Sequence, residues 1–130
     1  MQYVHLGRAG VKVSRISLGC MPFGRDGGWK IELDEARKMM KKAIDLGINF
    51  FDTANVYSQG RSEEILGECL MGYRDDMVVA TKVFAATSDR PNDRGLSRRH
   101  IMQQIKASLK RLRTDYVDLS NPSLGLRHAY

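Results

Sequence analysis

The sequence has little of what would place it outside the ordinary globular class. Its 130 residues include only two cysteines, Cys20 and Cys69, and no metal-ligand spacing surrounds either. Neither a disulfide framework nor a metal site is expected, and both thiols are read as buried in a reducing compartment. No apolar run approaches the roughly 20 residues that a bilayer-crossing helix needs, so no membrane insertion is expected. The opening Met1-Gln2-Tyr3-Val4-His5 lacks the basic start and apolar core of a secretory leader, which makes the cytoplasm the expected location. Aromatic residues are only 8% of the chain and do not interleave with the cations, so the stacking platform that single-stranded nucleic acid needs is missing and no nucleic-acid partner is expected.

What is there is the 42% hydrophobic, 28% charged composition of one folded domain, with a net charge of +6. The cationic excess gathers in two places. Arg94, Arg98, Arg99, Lys106, Lys110, Arg111 and Arg113 flank or belong to one predicted helix, and Arg8, Lys12 and Arg15 belong to the N-terminal segment. Both are read as solvated faces.

Alternation of Val4, Leu6, Val11, Val13, Ile16 and Leu18 around the turn Arg8-Ala9-Gly10 predicts a small hairpin followed by a first core strand. A loop from Met21 to Gly28 follows, and Leu33 to Leu46 then carries Ala36, Met39, Met40, Ala43 and Ile44 at helical spacing, with Gly47 as its stop. Ile48 to Asp52 is an apolar run of the kind a buried parallel strand has. Ser62 to Met71 predicts a second helix with Ser62-Glu63-Glu64 as its acidic first turn. Met77 to Val83 is the next strand. Ser97 to about Leu112 is a third helix, buried through Ile101, Ile105, Leu109 and Leu112, and Tyr116-Val117-Asp118-Leu119 opens a fourth strand.

Strands alternating with helices make either an open doubly wound sheet or a barrel. No glycine-rich phosphate loop follows the first strand, so the barrel is favoured. In a barrel of this type the working residues stand at the C-terminal ends of the strands and in the loops after them. Asp52 is at such an end, Tyr57 is in the loop beyond it, and Lys82 is near the end of the next strand. Taken singly, they could be a turn cap, a loop anchor and an exposed strand terminus. Taken together they form a unit: Asp52 anchors the Lys82 ammonium, the ammonium stabilises the phenolate of Tyr57, and Tyr57 becomes a competent proton donor to a carbonyl oxygen.

Gly47-Ile48-Asn49-Phe50-Phe51-Asp52-Thr53-Ala54-Asn55-Val56-Tyr57, followed by Gly60-Arg61-Ser62-Glu63-Glu64-Ile65-Leu66-Gly67, resembles the aldo-keto reductase signature G-x-x-x-[FI]-D-T-A-x-x-Y with its downstream S-E-x-x-[LI]-G. Val79-Ala80-Thr81-Lys82, Leu6-Gly7 through Leu18-Gly19, and Arg113 to Leu119 resemble other stretches of the same family. The resemblance implies an α/β fold, the N-terminal half of a (β/α)8 TIM barrel with an N-terminal β-hairpin, the barrel incomplete. It implies Tyr57 as general acid, Lys82 and Asp52 as its catalytic partners, and NADPH as cofactor. Gly19, Cys20 and Met21 together with Asp52 would lie beside the nicotinamide ribose. The substrate would be a small aldehyde or ketone, with Phe23 or Trp29 as candidate pocket residues or ordinary packing. Relatives that serve as auxiliary subunits of potassium channels make a non-catalytic, channel-associated role the alternative, and a separate C-terminal half-barrel is a further possible partner.

After Leu119 the family pattern continues Y-Q-I-H-R-W-D, whose histidine donates a hydrogen bond to the substrate carbonyl; here Ser120 to Tyr130 follow instead, and His128 is out of register. Synonymous codons for a continuation Y-Q-I-H-R-W-D-Y-D-T-P-I can be chosen so that, read from the third base, they translate as S-N-P-S-L-G-L-R-H-A-Y, which is the sequence from Ser120 to Tyr130. Residues 1–119 are thus expected to form a partial reductase domain and residues 120–130 a frameshifted tail.

Overall fold

The computed structural model describes residues 1–24 and 30–122. The chain opens with a hairpin of β1 (Tyr3–His5) and β2 (Lys12–Ser14), antiparallel, with Val4 opposite Val13. This hairpin is fastened to the foot of the main sheet. Asn49 receives the Ser14 N–H on its Oδ1 at 2.7 Å and donates from Nδ2 to the Lys12 carbonyl at 3.1 Å, while the Tyr3 hydroxyl donates to the Gly47 carbonyl at 2.9 Å.

The main sheet holds β3 (Leu18–Gly19), β4 (Phe50–Asp52), β5 (Val78–Lys82) and β6 (Leu119–Asn121), all parallel. Spatial order follows chain order, β3-β4-β5-β6, with no reversal among the described residues. A doubly wound sheet needs a point where the order reverses, so this arrangement has the order of a barrel wall. Three helices connect the strands: α1 (Leu33–Asp45), α2 (Arg61–Cys69) and α3 (Arg98–Leu112). Ala36, Met40 and Ala43 of α1, Ile65, Leu66 and Leu70 beside or within α2, and Leu112 of α3 close on Phe51 and Val79 to make one core. Residues 78–81 of β5 are all buried, which is why its sequence is an unbroken apolar run with one threonine rather than an alternation.

The junctions explain how the chain turns. At the end of α1 the Gly47 N–H donates to the Ile44 carbonyl at 2.8 Å and the Ile48 N–H to the Ala43 carbonyl at 2.9 Å, with Gly47 at φ +85°. This paired closure needs the left-handed conformation that glycine adopts without penalty, and it aims the chain into β4. At the start of α3 the Ser97 hydroxyl accepts from the His100 N–H at 3.2 Å.

The structure departs from the sequence reading in three places. First, Tyr116, Val117 and Asp118 are not strand. Asp118 grips Val79 instead, its N–H donating to the Val79 carbonyl at 3.1 Å and its Oδ2 receiving the Val79 N–H at 2.9 Å. The Arg74 guanidinium holds that carboxylate at 2.9 Å, and β6 begins only at Leu119. The pairing then continues through Ser120 and Asn121, opposite Thr81 and Lys82, because parallel pairing uses main-chain groups and does not depend on the side chains. Second, short 3-10 turns at Tyr57–Gly60 and Arg74–Asp76 were not expected. Third, the most buried row of α3 is His100, Gln104, Ser108 and Leu112, while Ile101, Ile105 and Leu109 are half-buried. Within that row Gln104 bonds Asn55 of the loop after β4, and Ser108 accepts from Arg111 of α3 itself, pairings that hydropathy alone does not reveal.

Among the described residues no helix is long and apolar enough to cross a membrane, and no three His, Cys, Asp or Glu side chains converge to hold a metal ion.

The α2–α3 contact is close at Gly67, where an added Cβ would come within 2.6 Å of the Leu112 carbonyl carbon and oxygen. Replacing Gly67→Ala is expected to push the two helices apart and lower stability by about 1–3 kcal/mol, read as an earlier midpoint in urea unfolding; an unchanged midpoint would contradict the close packing.

Candidate active site

Parallel register brings the ends of β3, β4 and β5 to one rim. Gly19 lies opposite Asp52, and Asp52 lies opposite Ala80, two residues before Lys82. Lys82 reaches back across that offset. Its Nζ donates to Asp52 Oδ2 at 2.5 Å and to the Thr53 carbonyl at 2.8 Å. The Lys82 side chain is 11% exposed and that of Asp52 34%, so the pair sits at the rim with the carboxylate on the solvent side. The same ammonium lies 4.8 Å from the centre of the Tyr57 ring, within the range of a cation–π contact. The three residues singled out in the sequence are therefore brought together, with the lysine in the middle and facing the tyrosine ring.

Tyr57 is held by its loop. The Asn55 N–H donates to the Lys82 carbonyl at 3.3 Å, the Tyr57 N–H to the Ala54 carbonyl at 3.1 Å, and the Ser58 hydroxyl to the Phe23 carbonyl at 2.8 Å. Immediately after the tyrosine, Ser58, Gln59 and Gly60 have φ of 51°, 56° and 94°. Two non-glycine residues in the left-handed region cost on the order of 1–3 kcal/mol each, and they persist only where surrounding contacts over-determine the loop.

The candidate cofactor residues share this rim. The Cys20 N–H donates to the Asp52 carbonyl at 2.8 Å, Met21 is 46% exposed, and an added Cβ on Gly19 would meet nothing within 4 Å. Among the described residues, space is therefore open above the ends of β3 and β4. The Cys20 thiol does not face it. Burial, reinforced by the Asp52 carboxylate, pushes that thiol far above its ordinary value, and burial also pushes Cys69 up to about 11. Both cysteines are neutral packing groups at physiological pH. Phe23, a candidate pocket residue in the sequence, is fully buried in the core and acts as packing, because its carbonyl and ring anchor the start of the loop from within. Trp29 and His128 lie outside the described residues.

Several polar residues behind the rim were not singled out. Ser62 is fully buried; its Oγ donates to the Cys20 carbonyl at 2.7 Å and lies 2.9 Å from Thr53 Oγ1. Glu63 is also fully buried, receiving Thr81 Oγ1 at 2.5 Å on one oxygen and Arg111 Nε at 2.6 Å on the other. Read from sequence, Glu63 serves the helix dipole and Arg111 a solvated face; here they form an ion pair in which the carboxylate is fully buried and the Arg111 side chain is half-buried, because the first turn of α2 is packed between the sheet and α3. Asn55 donates to Gln104 at 3.0 Å, closing the loop against α3. A cavity of about 440 Å³ opens on that side, lined by Asn55, Gln59, Thr87, Gln104 and Arg111 among others, and it contains none of Asp52, Tyr57 and Lys82. The Asp52–Lys82–Tyr57 group instead occupies the open rim.

A strand-end Asp, a loop Tyr and a neighbouring strand-end Lys on a parallel sheet coincide with a match, over residues 15–121, to the family described as the aldo/keto reductase family. The chain belongs to the aldo/keto reductase family. It is 46% identical over 123 residues to a protein of Oryza sativa subsp. japonica named as a probable voltage-gated potassium channel subunit beta, covering 92% of this chain and 36% of that one. It is 44% identical over 130 residues to an uncharacterized oxidoreductase of Bacillus subtilis, covering 92% of this chain and 39% of the relative. Among solved structures, the holo form of an aldo-keto reductase from Bacillus halodurans superposes with a TM-score of 0.77 at 36% identity, over 92% of this chain and 39% of the other. The chain thus spans well under half the length of these aldo/keto reductase relatives.

The thiols give a direct check on the site's packing. In the native chain Cys69 alkylation by iodoacetamide is expected to keep rising about tenfold per pH unit up to about pH 11, because thiolate is the reacting form and burial raises its pKa. Cys20 is expected to react only after unfolding. Rapid labelling of Cys20 in the folded chain at pH 8 would contradict its placement.

Proposed function

We propose that this chain carries the proton-donor side of an NADPH-dependent carbonyl-reductase site, at the open C-terminal ends of β3, β4 and β5. The observation that carries this reading is the Lys82 ammonium, held by Asp52 and the Thr53 carbonyl and set 4.8 Å from the centre of the Tyr57 ring. Tyr57, the hydroxyl-bearing side chain whose ring faces that ammonium, is the residue that gives up a proton to a carbonyl oxygen. Asp52 supplies the counter-charge that keeps the ammonium in place at the rim.

The residues present fit the nicotinamide end of the cofactor: space is open over Gly19, and Cys20 and Met21 continue the main chain along the same rim as Asp52. When bound, NADPH supplies hydride to the carbonyl carbon of a small aldehyde or ketone. In this reading the four-stranded sheet is the N-terminal half of a (β/α)8 barrel, working in the cytoplasm. The family resemblance assigns most contacts to the cofactor's phosphates and adenosine to the later half of such a barrel, and residues 120–130 are a frame-shifted tail after Leu119. The locus is then expected to encode Q-I-H-R in another frame. The channel-subunit names of relatives support a second reading, a non-catalytic NADPH-binding or channel-associated subunit.

Fluorescence titration with NADPH separates these possibilities, using the 130-residue chain beside the same chain continued from Leu119 in the family frame. Binding and aldehyde reduction are expected in the continued chain, with weak or no binding and no useful turnover in the 130-residue chain. Tyr57→Phe in the continued chain is expected to reduce turnover by about 10²–10⁴-fold. Full turnover by that variant would overturn the role of Tyr57. NADPH binding without turnover, together with co-purification of a channel protein, would favour the second reading.

A further inference from the structure

The first turn of α2 contains two consecutive buried polar residues, Ser62 and Glu63, and each is hydrogen-bonded to a threonine adjacent in sequence to one member of the rim ion pair. Ser62 Oγ lies 2.9 Å from Oγ1 of Thr53, which follows Asp52. Glu63 Oε1 receives the hydroxyl of Thr81, which precedes Lys82, at 2.5 Å. Ser62 also donates to the Cys20 carbonyl, and the Cys20 N–H in turn donates to the Asp52 carbonyl. Arg111 of α3 answers the second Glu63 oxygen at 2.6 Å and supplies the counter-charge.

We propose that Ser62 and Glu63, with Arg111 behind Glu63, are positioning residues that set the geometry of the Asp52–Lys82 pair and so of Tyr57. The relevance of this geometry to carbonyl reduction rests on the reductase reading above. The physical basis is the alternation of side chains along a strand: residues 81 and 82 project to opposite faces. A directional bond to Thr81 on the helix side therefore fixes the rotation of β5 about its own axis, and with it the direction in which Lys82 leaves the strand. Thr53 does the same where the chain leaves β4, one residue after Asp52. Because Ser62 and Glu63 are neighbours on one helical turn, the two strand ends are referred to a single rigid body. That body also ends the loop carrying Tyr57, since Gly60 leads directly into Arg61 at the start of α2. Apolar packing would hold the layers together as well, but it is not directional and would leave the rotation of each strand end less defined.

The test reads the lysine ammonium itself and needs neither cofactor nor carbonyl, so its failure and the failure of the reductase reading are distinguishable. In the full 130-residue chain, the side-chain ¹⁵N signal of Lys82 is assigned by its loss in Lys82→Met. It is expected to be resolved from exposed lysines, because two oxygen acceptors slow its proton exchange. Thr81→Val keeps the shape of the side chain and removes only the hydroxyl; the Lys82 signal is expected to broaden or merge with the exposed lysines, while far-UV circular dichroism is unchanged. Thr81→Ser restores a hydroxyl and is expected to restore the signal. A folded Thr81→Val chain with the Lys82 signal unmoved would overturn the proposal and leave the network a structural one. Should Thr81→Val not fold, Ser62→Ala decides by the same readout from the Asp52 side: a displaced signal supports positioning, and an unmoved one overturns it.

Discussion

A carboxylate with no exposure to water must be answered by donors from wherever the chain can bring them, and Glu63 draws its two from β5 and α3. This requirement ties the first turn of α2 to the sheet on one side and to a neighbouring helix on the other. Ser62, next to it, extends the tie to the ends of β3 and β4. The apolar core between helices and sheet sets how far apart the layers stand. The buried polar turn sets their register, because a hydrogen bond fails when displaced by an ångström whereas a methylene contact only weakens.

The rim geometry depends on that register. Lys82 spans a two-residue offset to reach Asp52 and the Thr53 carbonyl, and in doing so lies against the Tyr57 ring. The tyrosine is carried on a short loop with left-handed residues at Ser58 and Gln59, kept in that form by hydrogen bonds to β5 and to the segment after β3. Main-chain cost is thus concentrated next to Tyr57, while the rest of the loop is overdetermined. Among the described residues, an open surface over Gly19 completes the arrangement.

Much of this was legible in the residues. Periodicity located all three helices to within a residue or two at either end, because each has one face of apolar groups and a clear stop such as Gly47. The strands β4 and β5 were legible as apolar runs, although their paired portions are shorter than the runs. The fourth strand was misplaced by three residues: Tyr116-Val117 has strand-like composition, but Asp118 captures Val79 with its side chain and delays the ladder. The proximity of Asp52, Tyr57 and Lys82 was legible because barrel-like topology turns strand ends into a shared rim, a placement rule that needs only the order of elements.

The sequence by itself determined the element order, the apolar faces of α1 and α2, the family to which the chain belongs and the three side chains of the rim, since each of these depends on local periodicity or on motif spacing. Only the tertiary structure decided that Glu63 is interior and paired with Arg111, that α3 turns a polar row inward, that Phe23 is core, and that Lys82 meets the face of Tyr57. Those facts concern pairs of residues up to 48 positions apart, as in Glu63 and Arg111. Whether a charged residue is solvated or buried depends on what the fold places opposite it, and no local pattern of charge or hydropathy contains that information.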